Sequence, residues 1–213
     1  MTTTHTDTAR QMRMAMKLYL FPGYEAFRMR TIDTAAIAPG EMILDFGCGV
    51  GLLEEFIVPR LTGGARVTGV DIGRELIEIA RSRFSPADPC DFEVLEPSGL
   101  LPFASHSFDL VVSNLVLHLL TQTQRATVLK EFVRVLKPGG RLVMAEIGRP
   151  TGLWGRWIKF LTLSYWVRIW PYVINSVDSF EGRLPDAVGK AGFVEVRLVA
   201  KLRGYIDLYR CSA

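Results

Sequence analysis

The stretch from Ile43 to Gly51, which reads ILDFGCGVG, decides the fold of this 213-residue chain. A short apolar run leads into an acid, three glycines then alternate with other residues, and a helical pattern follows. Glycine allows a sharp turn and lets a ligand approach the main chain closely. The free N–H groups at the start of a helix would face such a ligand. The stretch therefore predicts a strand, a ligand-binding loop and a helix.

The spacing of the glycines distinguishes between two cofactors. Gly47, Gly49 and Gly51 give the pattern GxGxG, whereas the dinucleotide fingerprint GxGxxG would need a glycine in place of Leu52. Asp45 stands two residues before the first glycine, where a carboxylate would repel a pyrophosphate but suits the ammonium group of an amino acid. S-adenosylmethionine carries such a group and NAD does not, so the loop favours S-adenosylmethionine.

Further strands follow in the order that such a fold requires. The stretch from Arg66 to Asp71 is β-branched and ends in an acid twenty residues after Gly51, where a carboxylate can accept hydrogen bonds from ribose hydroxyls. Ile72 comes next and is placed to pack on an adenine face. A third strand is predicted over 91–95, and an apolar fourth strand over 110–112. The stretch LKPGG at 136–140 is expected to close a helix and to open a fifth strand over 141–147.

Together these elements resemble the class I S-adenosylmethionine-dependent methyltransferases. The motifs FDLVV at 108–112 and LKPGGRL at 136–142 are similar to the group that includes the ubiquinone and menaquinone biosynthesis C-methyltransferases. The resemblance is strong over residues 40–147. It implies a doubly wound, Rossmann-like α/β fold with a seven-stranded mixed sheet of order 3-2-1-4-5-7-6. The antiparallel hairpin is expected from strands at 194–200 and 205–210.

The pattern of apolar and charged residues predicts the domain organisation, and the resemblance implies the cofactor site. Residues 1–30 are predicted as an N-terminal amphipathic helical lid and 31–213 as the methyltransferase domain, with 148–178 as an inserted aromatic cap after the fifth strand. The residues expected to contact S-adenosylmethionine are Asp45, Phe46, Gly47, Cys48, Gly49, Gly51, Asp71, Ile72, Glu96, Pro97, Ser98, Gly99, Ser113, Asn114, Leu115 and His118.

The adenine loop departs from the pattern of the relatives. They usually place an acid four residues before the Leu-Pro-Phe triplet that begins at Leu101, and this chain has Pro97 there. Glu96 would serve if the loop shifts by one residue. Otherwise main-chain groups near Ser98 and Gly99 must form the hydrogen bonds that recognise the adenine.

Methyl transfer requires little catalytic chemistry from the protein. The sulfonium methyl is already activated, so the protein mainly has to position it. A general base is needed only when the acceptor must lose a proton. His118, four residues beyond Asn114, is the candidate base, and the alternative is a structural histidine that shapes the cofactor pocket. Tyr19 and Tyr24 are candidates to close over the cofactor or the acceptor.

Two segments have a basic and apolar character. Residues 8–22 are predicted to form a basic amphipathic helix. All four tryptophans lie in the predicted cap, within a stretch that has no acid between Glu146 and Asp178. One interpretation is that both segments cover the sheet. The other is that 8–22 and 149–173 form a lid over an apolar acceptor and contact a membrane surface, since tryptophan favours the interface and basic residues attract anionic lipid.

Composition limits the remaining possibilities. A net charge of +3 argues against a nucleic-acid partner, and three scattered cysteines predict a reducing cytoplasm and no metal site. The predicted location is cytoplasmic or peripheral on the inner face of the membrane. The expected acceptor is a quinone precursor, a phospholipid amine head group or a soluble secondary metabolite. An NAD-dependent reductase and a cofactor-binding protein without catalysis stay open as alternatives, and the oligomeric state is not encoded in any recognisable pattern.

Overall fold

A computed structural model describes residues 24–161, 181–202 and 204–213. The predictions for Tyr19, for the helix at 8–22 and for the cap beyond residue 161 lie outside the described residues. The described helices are α1 (Tyr24–Ala35), α2 (Glu54–Ile57), α3 (Arg74–Arg83), α4 (Gln122–Val135), α5 (Gly152–Leu161) and α6 (Leu184–Ala191). Short 3₁₀ turns cover Val58–Arg60 and Leu117–Leu119. The strands are β1 (Met42–Phe46), β2 (Arg66–Asp71), β3 (Cys90–Val94), β4 (Phe108–Asn114), β5 (Leu136–Ile147), β6 (Glu195–Leu202) and β7 (Ile206–Ser212).

The seven strands form one sheet of order β3-β2-β1-β4-β5-β7-β6, as predicted. The first five strands are parallel, while β7 is antiparallel to both β5 and β6. Parallel strands joined by helices bring their carboxyl ends to the same edge of the sheet, and ligands bind at that edge where the strand order reverses. Here the order reverses between β1 and β4, so the loops that follow these two strands define the crevice.

Apolar side chains on both faces of the sheet build the core. On one face, α4 and α6 pack residues such as Phe132 and Val188 against β1, β4 and β5. On the other face, α1 and α2 contribute Ile32 and Ile57 to a second cluster. Burial on both faces explains why the central strands are nearly continuous apolar runs. A polar or charged residue buried in such a strand therefore needs a separate explanation.

The largest difference from the predicted strand boundaries is the start of β5. The pattern LKPGG at 136–140 was expected to close a helix before a strand starting at Arg141, but β5 already begins at Leu136. Leu136 pairs with Phe108, and the register then becomes irregular before Leu110 pairs with Arg141. Gly139 adopts a φ of +79°, which allows the chain to form this irregularity without a break in the sheet.

Candidate active site

The glycine loop after β1 is bound to the neighbouring strand and open on one side. The N–H groups of Gly47 and Cys48 donate to the carbonyl of Val70 at 2.8 and 3.1 Å. Gly47, Gly49 and Gly51 all have positive φ values, of +80°, +59° and +76°. A Cβ atom added to Gly49 would meet no atom of the described residues within 4 Å. The main chain at Gly49 is thus accessible to a ligand.

Asp71, at the end of β2, lies beside this loop. Its carboxylate accepts hydrogen bonds from the N–H of Gly49 at 3.1 Å and from the N–H of Gly73 at 2.8 Å. Burial raises the pKa of Asp71, and these main-chain hydrogen bonds oppose that shift. The adjacent Ile72 is 67% exposed although it is apolar. The sequence placed an acid and an apolar residue here, and both lie at the ligand edge of the sheet.

The loop after β4 packs directly against the glycine loop. A Cβ atom on Gly47 would lie only 2.2 Å from Cγ2 of Val116, so no larger residue fits there. Leu115 has a φ of +57°, which is strained for a residue with a side chain. The two motifs that the sequence assigned separately to the cofactor, at 45–51 and 113–118, therefore form one continuous surface.

Glu146 is a site residue that sequence reasoning missed. This fully buried carboxylate near the end of β5 accepts the N–H groups of Val116 and Leu117, both at 2.8 Å, and that of His118 at 3.3 Å. Its Oε2 also lies 2.8 Å from Nδ1 of His118. A carboxylate only accepts hydrogen bonds, so Nδ1 carries the proton and Nε2 is the ring nitrogen that can accept one. An acid inside the apolar run 142–147 was the signal for this residue.

A second buried acid lies beside Glu146 on the neighbouring strand. Asp207 on β7 pairs in register with Glu146 and is 4% exposed. It accepts a hydrogen bond from the hydroxyl of Tyr209 at 3.0 Å and forms an ion pair with Lys201. Burial raises the pKa of Tyr209, and the charge of Asp207 raises it further. The sequence pattern of the hairpin gave no reason to expect this polar cluster.

Several buried polar atoms near the two loops have no hydrogen-bond partner among the described residues. They include Oδ2 of Asp45, Oγ of Ser113 and Oδ1 of Asn114. Buried polar groups without partners are costly and normally indicate a bound group or water. Their position at the ends of β1 and β4, beside the open face of Gly49, fits a ligand with ammonium and hydroxyl groups.

The remaining predicted residues lie in different surroundings. Glu96, Pro97 and Ser98 are exposed, and the hydroxyl of Ser98 accepts the N–H of Leu100 at 3.3 Å. Gly99 is half-buried near α4, and Phe46 is buried in the core beneath the loop. Burial raises the pKa of the Cys48 thiol well above its usual value, so it is not a thiolate. Tyr24 begins α1, and its side chain lies outside the described part.

Comparison with known proteins agrees with this geometry. Residues 44–144 match the family described as Methyltransferase domain. A demethylmenaquinone methyltransferase from Symbiobacterium thermophilum is 28% identical, over 87% of this chain and 81% of that protein. A ubiquinone/menaquinone biosynthesis C-methyltransferase from Geotalea daltonii is 29% identical, over 76% of this chain and 69% of that protein. A crystal structure of an S-adenosylmethionine-dependent methyltransferase from Methanococcus maripaludis has the same fold, with a TM-score of 0.69 and 18% identity over 98% of this chain and 94% of that one.

The chain is a class I S-adenosylmethionine-dependent methyltransferase. Within that class it is similar to the ubiquinone and menaquinone biosynthesis methyltransferases, and its cofactor is S-adenosylmethionine. The alternative of an NAD-dependent reductase is thereby removed. In the described part of the chain, no helix has the length and hydropathy that a membrane span requires.

Proposed function

We propose that this methyltransferase acts on a quinone-like acceptor, a demethylated ring with an apolar tail. The observation that carries the proposal is the similarity to a demethylmenaquinone methyltransferase, which extends over 81% of that protein's length. The buried pair of His118 and Glu146 supports the same conclusion, because a ring hydroxyl must lose its proton before the adjacent ring carbon can attack a methyl group. A phospholipid amine head group offers no such hydroxyl next to its reacting atom.

The cofactor orientation that we propose follows the sheet edge from β1 to β3. Asp45 with Gly47 and Gly49 holds the methionine end, and Asp71 holds the ribose. Three observations support this orientation: the unpartnered Oδ2 of Asp45, the open side of Gly49 and the ordered carboxylate of Asp71. When bound, S-adenosylmethionine supplies the methyl group on a positively charged sulfur.

The adenine is proposed to lie on Ile72, beside the loop 96–99. An apolar side chain that is 67% exposed at the ligand edge gains most from being covered by a flat ring. Glu96 is exposed and is available to accept a hydrogen bond from the adenine amino group if the loop shifts by one residue. Main-chain groups at Ser98 and Gly99 are the alternative.

His118 is proposed as the residue that removes the hydroxyl proton of the acceptor. Glu146 fixes the proton on Nδ1 and leaves Nε2 free to accept. Ser113 and Asn114 end β4, shortly before the turn that holds His118, and their unpartnered oxygens support contacts with the methionine part of the cofactor or with the acceptor. S-adenosylmethionine would supply the methyl group to the ring carbon and leave as S-adenosylhomocysteine. The ring carbon would then lose its proton to water while the ring oxygen regains the proton held by His118.

Helix α5 is proposed to contact the membrane from which an apolar acceptor would enter. Leu153, Trp157 and Phe160 are 79%, 58% and 61% exposed and recur at the spacing of one helix face. Arg149 and Arg156 are also exposed. Aromatic side chains together with basic residues suit an anionic lipid surface. A cytoplasmic enzyme attached to the inner face of the membrane would meet a lipid-soluble ring in this way.

Incubation with methyl-labelled S-adenosylmethionine tests the acceptor. The purified protein is given, in separate reactions, a demethylated naphthoquinol with a short isoprenoid tail, phosphatidylethanolamine vesicles, and an aqueous extract of small molecules. We expect label in the quinol reaction only, and less of it from the His118→Asn variant. Label in phosphatidylethanolamine or in an aqueous product would overturn the acceptor assignment. Calorimetry with S-adenosylhomocysteine measures cofactor binding independently and would also identify a protein that binds without catalysis.

A further inference from the structure

Glu54 is a buried acid that the proposed reaction does not use. It is the first residue of α2 and is fully buried, and neither of its carboxyl oxygens has a hydrogen-bond partner among the described residues. Oδ2 of Asp45, which is 2% exposed, is in the same condition. Two buried acids without a donor are costly to ionise together. Their presence under the cofactor loop therefore needs an explanation.

The position of Gly69 shows where the two acids meet. Asp45 pairs in register with Gly69 on β2, so their side-chain positions are on the same face of the sheet. A Cβ atom on Gly69 would lie 2.6 Å from Oε1 of Glu54 and 3.0 Å from Cβ of Cys48. The carboxyl group of Glu54 thus occupies the space above Gly69, next to Asp45 and beneath the glycine loop. Only a glycine at 69 leaves room for it.

Among the residues that the structure describes, the other charged groups around this pair do not supply the missing donor. The carboxylate of Asp71 faces Asp45 from β2 and accepts main-chain hydrogen bonds from Gly49 and Gly73. Arg83 on α3 acts on Glu54 at longer range and forms its ion pair with Glu55. The thiols of Cys48 and Cys90 are the other titratable groups of the cluster.

We propose that Glu54 is a positioning residue for the cofactor. It holds a proton and donates it as a hydrogen bond to Asp45, so that the pair presents a single negative charge to the ammonium group of S-adenosylmethionine. This inference rests on the proposed contact between Asp45 and the methionine end of the cofactor.

The titration behaviour of the pair agrees with that arrangement. Burial raises the pKa of both carboxyl groups, to about 7 for Asp45. The two carboxyl groups can form a hydrogen bond only when one of them is protonated. That contact lowers the pKa of Asp45 and raises that of Glu54, which places the shared proton on Glu54. Below about pH 7 the cofactor must therefore displace a proton from Asp45 when it binds. We expect its affinity to fall by up to about tenfold for each pH unit below that point.

Binding of S-adenosylmethionine by calorimetry tests the proposal, with the variants Glu54→Gln, Glu54→Leu and Asp45→Asn. Titrations at about pH 6 in buffers of different ionisation heat also count the protons released. Glutamine keeps a donor for Asp45 but cannot ionise, so we expect it to bind within about threefold of the wild type. Leucine removes the donor and should weaken binding at least about tenfold. Asp45→Asn should weaken binding and abolish proton release.

The outcomes separate this inference from the proposed function. If Asp45→Asn weakens binding and Glu54→Leu does not, the role of Glu54 is wrong while the cofactor site stands. If Glu54→Gln binds as poorly as Glu54→Leu, the proton is not on Glu54 and the inference fails. If Asp45→Asn binds like the wild type, both proposals fail.

Thermal unfolding of the cofactor-free variants provides a readout that does not depend on binding. The pKa of Glu54 is raised in the folded state. The stability that its bound proton contributes is therefore largest at pH values below its unfolded-state pKa and declines as the pH rises toward the folded-state pKa. Glu54→Gln removes this decline. We expect Glu54→Gln to be more stable relative to the wild type at about pH 8 than at about pH 5. An equal difference at both pH values would overturn the inference.

Discussion

Nδ1 of His118 lies 2.8 Å from Oε2 of Glu146, and this buried contact joins the end of β5 to the turn that follows β4. The same carboxylate accepts the N–H groups of Val116 and Leu117. Since Val116 packs on Gly47, the orientation of the candidate base and the shape of the cofactor loop depend on one side chain. The effect of Glu146 on the candidate base and its effect on the cofactor loop can be measured separately.

The variant Glu146→Gln should destabilise the protein. An amide keeps the volume but replaces one accepting oxygen with a donor, so at least one buried N–H group loses its partner. We expect a loss of about 2 kcal/mol in the free energy of unfolding and a Tm lower by roughly 4–8 °C. Thermal unfolding measures this. Glu195→Gln, at an exposed position on β6, is the matched control and should leave Tm unchanged. Equal stability of both variants would contradict the role of Glu146.

The variant His118→Asn tests proton removal. Loss of a general base lowers kcat by about 100-fold, whereas a residue that only shapes the pocket would change cofactor affinity instead. We expect the Kd for S-adenosylhomocysteine to change by less than about threefold. His106→Asn makes the same substitution at an exposed histidine with a φ of +58°, a conformation that asparagine tolerates. Its kcat should match the wild type. An unchanged kcat in His118→Asn would assign this histidine a structural role.

Gly49→Ala tests whether the cofactor lies against the open side of the loop. Gly49 and Gly64 both have positive φ, and in the described part of the chain no atom lies within 4 Å of a Cβ atom added to either. Alanine should therefore cost each site about 1 kcal/mol of stability from backbone strain alone. Only Gly49→Ala should also weaken S-adenosylmethionine binding, by at least about tenfold, because its methyl group enters the ligand's space. Calorimetry on both variants decides the matter, and equal affinities would remove the cofactor from Gly49.

The parts of the site that could be predicted depend on local rules. Asp45 and Asp71 were identified because an acid at the carboxyl end of a parallel strand lies at the ligand edge whatever the rest of the fold does. Glu146 obeys the same rule, but its partners lie about thirty residues earlier and are brought to it only by the pairing of β4 with β5. Such a partner depends on register, which the sequence pattern does not specify.

Glu54 was harder to predict for a related reason. Two adjacent acids at the start of a helix normally face solvent and favour the positive end of its dipole, as Glu55 does here. Burial of Glu54 follows from the short α2 lying over Gly69 on the next strand. The strand order, by contrast, was fully predictable, because the resemblance to known methyltransferases covers the motifs that set it.

Ile72→Ala should weaken cofactor binding without affecting the fold. The side chain is 67% exposed, so it contributes little to the core, and an adenine ring would cover it on binding. We expect a loss of about 1 kcal/mol in binding, or roughly fivefold in Kd, with an unchanged Tm for the cofactor-free protein. Val194→Ala, at a residue that is 86% exposed, is the control for removing an exposed apolar side chain. If both variants bind like the wild type, the adenine does not lie on Ile72.

The double variant Trp157→Ser and Phe160→Ser should lose membrane binding. These rings meet edge to face at 6.2 Å and are each more than half exposed on α5, near the basic Arg156. Removal of two aromatic anchors should reduce co-sedimentation with anionic vesicles about tenfold or more while the electrostatic attraction persists at low salt. The control is the same replacement by serine at Leu198 and Val199 on β6, which are 48% and 38% exposed. This control variant should co-sediment with the vesicles like the wild type. Methyl transfer to a water-soluble, short-tailed quinol should be retained by the α5 variant. Loss of that activity as well would indicate that the two rings line the acceptor site, and unchanged vesicle binding would exclude α5 as the membrane contact.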